Sequence, residues 1–223
     1  MAKEKIKFLK VREVSSPKRA YPFDAGIDFF VPKFTKKFLE DLKSKNSKLF
    51  PDTSENTNHF NTSLTITGTG GCVSYNLNEP IAGPIKFDEK KGQPYFILPP
   101  HSRVLIPSGI HCRMAQPGRA LIAANKSGVA TKDGLVFSAQ VVDYTYKGEV
   151  HIGIINTGTD CVRIYEDMKL IQFVETPVFN NEVDTIEIDP NSSEQSKEAN
   201  LKEFYEGLQD DRGAGGFGST NKK

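Results

Sequence analysis

The apolar residues of this chain fall mainly in short alternating runs. Residues 5–12, KIKFLKVR, alternate apolar and polar in the two-residue period of a half-buried strand. Similar strand-like runs follow at FFVP near residue 30, YFILPP at 95–100, RVLIPSGIHCRM at 103–114, RALIAA at 119–124, EVHIGIINTG at 149–158, KLIQFVETPVF at 169–179 and DTIEI at 184–188. Pro and Gly separate them at short intervals, which predicts an all-β fold, an antiparallel sandwich or barrel.

Two stretches break this pattern. At residue 34, FTKKFLEDLKSKN places Phe34, Phe38, Leu39 and Leu42 at helical spacing. It opens a segment, 34–94, that passes through Asn/Thr/Ser-rich sequence to TGTGG and reads as an insertion. The second stretch, 191–211, offers Ser192 or Ser193 as the cap of a helix carrying Leu201, Phe204, Tyr205 and Leu208. That helix reads as a connector between a single β domain, 1–211, and a glycine-rich tail, 212–223.

Composition narrows the function classes. With 29 Lys and Arg against 28 Asp and Glu, the net charge is +1 and the basic residues are dispersed, so no patch for direct nucleic-acid binding is expected. Cys72, Cys112 and Cys161 are odd in number and lack Cys-x-x-Cys spacing, which argues against a disulfide framework or a thiolate metal site. No run approaches the roughly 18 apolar residues of a membrane span. The expectation is a soluble intracellular protein, cytoplasmic or in a host cell's cytoplasm, with no membrane partner.

Candidate chemistry lies in four places. In the tail RGAGGFGSTNKK, Arg212 offers a planar fork for phosphate oxygens, Phe217 a face for a nucleobase, and Ser219 and Thr220 hydroxyls. Between its glycines, backbone amides can form an anion-binding nest. NKSGVATKDG presents Lys126, the Ser127 hydroxyl and the Gly128 amide together, a combination suited to phosphate, although such loops are common. In SAQVVDYTYKGEV, read as a hairpin, Asp143 follows an apolar pair and can act as a general base, with Tyr146 as an aromatic floor for a sugar; a turn Asp and a surface Tyr are the plain reading. In DAGIDFF, Asp28 sits where a strand calls for an apolar residue, which suits a hard cation or an edge position.

In this order, YPFDAGIDFF, ANKSGVA, VVDYTYKGEV, MKLIQFV and RGAGGFGST resemble the five motifs of the trimeric dUTPase family, the deoxyuridine triphosphate nucleotidohydrolases. The resemblance covers roughly 5–33, 95–190 and 209–221. It implies a jelly-roll-like β-barrel, a homotrimer with active sites at subunit junctions, and hydrolysis of dUTP to dUMP and pyrophosphate. By the same resemblance, Asp143 activates the attacking water and contacts the deoxyribose 3′-hydroxyl, while Tyr146 lies beneath the sugar and excludes a ribose 2′-hydroxyl. Backbone around Gln140, Val141 and Val142 reads uracil. His151, on the strand leaving the hairpin, reads either as lining the nucleotide site or as a plain surface histidine. Lys126, Ser127, Gly128 and Gln172 hold phosphates, and Asp28 orients Mg2+ through water. Arg212, Phe217, Gly218 and Ser219 close over the substrate from the tail.

Several positions depart from the family pattern. Lys126 stands where Arg is usual, exchanging a bidentate fork for a point charge. Gln140 stands for Gly, Thr145 for a frequent Asp, and Asn221 for the last Gly, while the fourth motif lacks its Gly-Asp opening. Alternative expectations are a dCTP deaminase or bifunctional deaminase-dUTPase, or a regulatory protein using the same fold with 34–94 as a partner-contacting element.

Overall fold

The computed structural model describes residues 5–50, the backbone of 64–68 and 71–75, and residues 85–206. The tail positions Arg212, Phe217, Gly218 and Ser219 lie outside the described residues. The chain divides into two compact units, Met1–Asn180 and Asn181–Lys223.

In the first unit, β1 (Lys7–Lys10), β2 (Gly26–Phe29) and α1 (Lys36–Lys45) precede an antiparallel pair, β3 (Leu64–Gly68) and β4 (Gly71–Tyr75). There follow β5 (Lys86–Asp88), β6 (Gln93–Leu98), β7 (Arg103–Arg113), β8 (Arg119–Asn125), α2 (Ser127–Asp133) and β9 (Leu135–Phe137). The unit ends with β10 (Val141–Asp143), β11 (Val150–Asn156), β12 (Val162–Tyr165) and β13 (Ile171–Pro177). Two four-stranded sheets, β1-β7-β11-β9 and β10-β8-β13-β2, and a three-stranded sheet, β12-β6-β5, share one core.

Alternation decides what each strand buries. On β11, Val150, Ile152 and Ile154 enter the core, while His151 and Ile155 face the other way, half-buried. Phe29 of one four-stranded sheet meets Phe8 of the other edge-to-face at 5.7 Å. Among the described residues both four-stranded sheets end in edge strands and do not close into a barrel, so the expected jelly-roll-like β fold is present as open sheets.

The predicted helix at residue 34 forms as α1, with the Thr35 side chain capping the Phe38 amide. Phe38 is 0% exposed and Leu42 1%, a burial that stabilises by roughly 1.5–3 kcal/mol for each side chain. Asn46, just past α1, accepts from the Leu105 amide at 2.8 Å and donates to its carbonyl at 2.9 Å, satisfying β7 as a neighbouring strand would. The segment expected as an insertion therefore begins as part of the core, because its apolar stripe and Phe50 complete the packing around Phe96. Its far end enters β5 and β6, which pair with each other, β6 pairing in turn with β12.

The hairpin reading of 138–149 needs correction. Val141–Asp143 pairs with β8 in one sheet, whereas Val150 onward pairs with β7 in another, so the turn between them crosses from sheet to sheet. NKSGVATKDG, read as a loop, contains the helix α2, ended by Gly134 at φ 66°.

In the second unit, Ser193 caps α3 (Glu194–Phe204) by accepting from the Ser196 amide, as one of the two predicted caps. DTIEI forms no strand, and Ile186 is exposed. No described helix is long and apolar enough to cross a membrane.

Candidate functional site

Asp28 lies on β2, a strand buried on both faces, and is 3% exposed. A carboxylate there needs a counter-charge. Lys126, immediately after β8, places Nζ 2.5 Å from Oδ1, and Lys169 places Nζ 3.3 Å from Oδ2. The Lys169 contact is an ion pair without hydrogen-bond geometry, which leaves Oδ2 without a hydrogen-bond partner.

Strand register completes this cluster. Gln172 on β13 stands opposite Asp28 on one side and Ala124 on the other, and its Nε2 donates to the Asn125 carbonyl at 2.9 Å. A Cβ at Gly26 would collide with the Gln172 side chain, so glycine there makes room for the amide. Lys126, Ser127, Gly128, Lys132 and Gln172 line a cavity of about 340 Å3. Four of these were expected as phosphate ligands, and Lys132 was not. Its charge is placed there by α2, which sequence reading treated as loop.

Asp143 and Tyr146 lie elsewhere on the chain, both exposed, Asp143 at the end of β10 and Tyr146 on the turn that leads to β11. The Tyr146 amide donates to the Asp143 carbonyl at 3.1 Å, and the Tyr146 hydroxyl donates to the Glu149 carbonyl at 3.0 Å. The ring folds so close to Gly148 that a side chain there would strike it. β10 is an edge strand: one side pairs with β8, and the Gln140 carbonyl accepts from the Ala123 amide at 2.7 Å. Its other side has no strand neighbour among the described residues, leaving backbone donors and acceptors beside Val141 and Val142.

His151 is half-buried, and its Nε2 has no hydrogen-bond partner. Burial lowers its pKa, reinforced by Lys45 and Arg12 and opposed by Glu149. It does not join the cluster around Asp28. Glu149 takes a fork from Arg12, at 2.8 and 2.9 Å, and the Gly109 amide at 2.6 Å. Burial would raise the Glu149 carboxyl, but these bonds outweigh it and hold the pKa below the ordinary value.

No group of three His, Cys, Asp or Glu side chains among the described residues could hold a metal ion. Asp28, expected to orient Mg2+ through water, is engaged by two ammonium groups instead. As it stands, the cluster does not fit a resident divalent cation, whose charge those lysines would oppose.

The register separates the two groups of residues. Asp143 pairs with Ala120 at the start of β8, whereas Lys126 follows its end. Six residues at about 3.3 Å each put them roughly 20 Å apart along the strand. An α-phosphorus whose phosphate chain is held at Lys126 cannot also lie beside Asp143 of that chain.

A family model described as dUTPase matches residues 91–203. The deoxyuridine 5′-triphosphate nucleotidohydrolase of Bartonella bacilliformis is 35% identical over 128 residues, covering 56% of this chain and 69% of that protein. That of Hahella chejuensis is 30% identical over 162 residues, covering 72% of this chain and 88% of the relative. Among solved structures, a point mutant of the Staphylococcus bacteriophage 80alpha dUTPase with dUpNHpp superposes with a TM-score of 0.53 at 16% identity. The match covers 98% of this chain and 99% of the phage chain, a likeness of fold.

Proposed function

Because this chain belongs to the dUTPase family and hydrolyses dUTP to dUMP and pyrophosphate, we propose that its catalytic site is shared between copies, Asp143 of one completing the phosphate cluster of another. The roughly 20 Å between Asp143 and Lys126 along β8 carries this reading. Three such junctions form in a homotrimer.

At each junction, Lys126, Ser127, Gly128 and Gln172 bind the triphosphate, joined by Lys132 from the same cavity. Lys126 exchanges the Asp28 carboxylate for a phosphate oxygen, which its flexible stem permits. Magnesium arriving as part of the substrate, chelated to the triphosphate, would supply charge neutralisation there. Asp28 would meet a water of that chelate only once a lysine withdraws from its carboxylate.

The free edge of β10 pairs with uracil through backbone at Val141 and Val142, and Tyr146 supports the deoxyribose. Asp143 takes a proton from water as the water oxygen bonds to the α-phosphorus. The bond from that phosphorus to the bridging oxygen breaks, and its electron pair leaves with pyrophosphate. Arg212, Phe217, Gly218 and Ser219 of the tail cover the bound nucleotide, excluding solvent while the charge shifts.

Asp143→Asn tests the assignment. It should retain nucleotide binding while turnover falls by about 10²- to 10⁴-fold, the usual worth of a general base. Unchanged turnover in a folded variant would remove Asp143 from the chemistry.

A further inference from the structure

Arg12 joins three parts of the chain that are distant in sequence. Its Nε and Nη2 donate to the two carboxylate oxygens of Glu149 at 2.8 and 2.9 Å, and Nη2 also donates to Asp41 of α1 at 2.7 Å. All three side chains are largely buried. The bond to Glu149, followed by that to Asp41, raises the Arg12 pKa despite its burial. Forks of this kind fix orientation as well as distance.

The same Glu149 carries the Tyr146 anchor. Its carbonyl accepts the Tyr146 hydroxyl, while its carboxylate is held by Arg12 and the Gly109 amide. Gly109 has φ 74°, and a side chain there would press on the Arg12 stem. The position of the ring therefore depends on where residue 149 is clamped. α1 is itself immobilised by Phe38 and Leu42 in the core and by the paired bonds from Asn46 to Leu105.

We propose that Arg12 is a positioning residue for the sugar platform, and that α1, through Asp41, sets how strictly Tyr146 rejects ribose. This rests on the reading of Tyr146 as the residue beneath the deoxyribose. Loss of the fork lets residue 149 shift, the ring loses its fixed height, and room opens for a 2′-hydroxyl. A steric filter of this type discriminates by about 10- to 200-fold, so small displacements remove much of it.

The test is the ratio of kcat/KM for dUTP to that for UTP, measured with pyrophosphate release on folded protein. Partial unfolding lowers both values together and leaves the ratio unchanged. Arg12→Met should lower the ratio at least tenfold, Asp41→Asn should lower it less, and Arg12→Lys should fall between Arg12→Met and the unaltered protein. Tyr146→Phe, which keeps the ring and loses the hydroxyl bond, should also lower it.

Tyr146→Ala separates the two claims. If it leaves the ratio intact, the platform reading fails and the inference falls with it. If Tyr146→Ala abolishes discrimination while Arg12→Met and Asp41→Asn retain it, the platform stands and the positioning role is overturned. Should Arg12→Met fail to fold, Arg12→Lys decides for the fork, since it keeps the charge and loses the bidentate geometry, while Asp41→Asn decides for α1.

Discussion

Lys126 holds the buried carboxylate of Asp28 at 2.5 Å, so the residue best placed to receive phosphate is already paired within its own chain. The pairing resolves two expectations that compete for the same charge. A carboxylate buried there is costly without a partner, and the lysine supplies one; under the proposed function it is released to a triphosphate.

Asp28→Asn should therefore destabilise the fold, by about 1–3 kcal/mol for the lost charged hydrogen bond. For a chain of this size that is roughly 2–12 °C in thermal midpoint, read by calorimetry. Titration calorimetry with magnesium chloride should show no saturable heat in the absence of nucleotide, since Lys126 and Lys169 already engage the Asp28 carboxylate. Tight magnesium binding by the free protein would contradict this account of Asp28.

Gly26→Ala tests the other wall of the cluster. The new Cβ meets the Gln172 amide, which must leave the Asn125 carbonyl. Because Gly26 is a strand position with no positive φ, the cost falls on the side chain more than on the backbone. The expected result is a several-fold rise in KM for dUTP with the thermal midpoint nearly preserved. An unchanged KM would show that Gln172 does not bind phosphate.

Acidification should weaken the fold through His151. Its folded pKa lies below the ordinary 6.5, chiefly from burial, so the unfolded chain takes up the proton first. Its stabilising contribution is complete above pH 6.5 and is lost as pH falls from there to the folded value. Glu149, Asp41 and Asp167 also have lowered pKa values, but their losses belong to the carboxylate range further down. Urea midpoints should fall between about pH 7.5 and 5.5, and His151→Gln should flatten that decline. An equal slope in the variant would assign the effect to another group.

Much of this architecture can be read from alternation and helical spacing. β7, β8, β11 and β13 coincide with predicted runs, and α1 follows the stripe of Phe38 and Leu42. α2 was missed because SGVATKD buries no residue and carries no apolar stripe; Gly134 at its end was the available signal. Val141–Asp143 was placed in a local hairpin because chain order does not reveal that its partner is β8. DTIEI has strand-like alternation, yet its apolar residues find no strand to join among the described residues.

At the site, the residue pattern brought out Asp28, Lys126, Asp143 and Tyr146 individually, and the family resemblance added Gln172. Neither could show that Asp28, Lys126 and Gln172 converge while Asp143 stands at the other end of β8. Nor could they show the Arg12–Glu149 fork, whose partners are 137 residues apart.

Mixing two inactive variants tests the shared site most directly. Asp143→Asn and Lys126→Ala proteins, each with turnover strongly reduced alone, would be unfolded together, refolded as mixed assemblies and assayed for pyrophosphate release from dUTP. If the site is shared, some junctions combine an intact Asp143 with an intact Lys126, and activity returns. If each chain contains its own complete site, every site keeps one lesion and the mixture stays as inactive as its components.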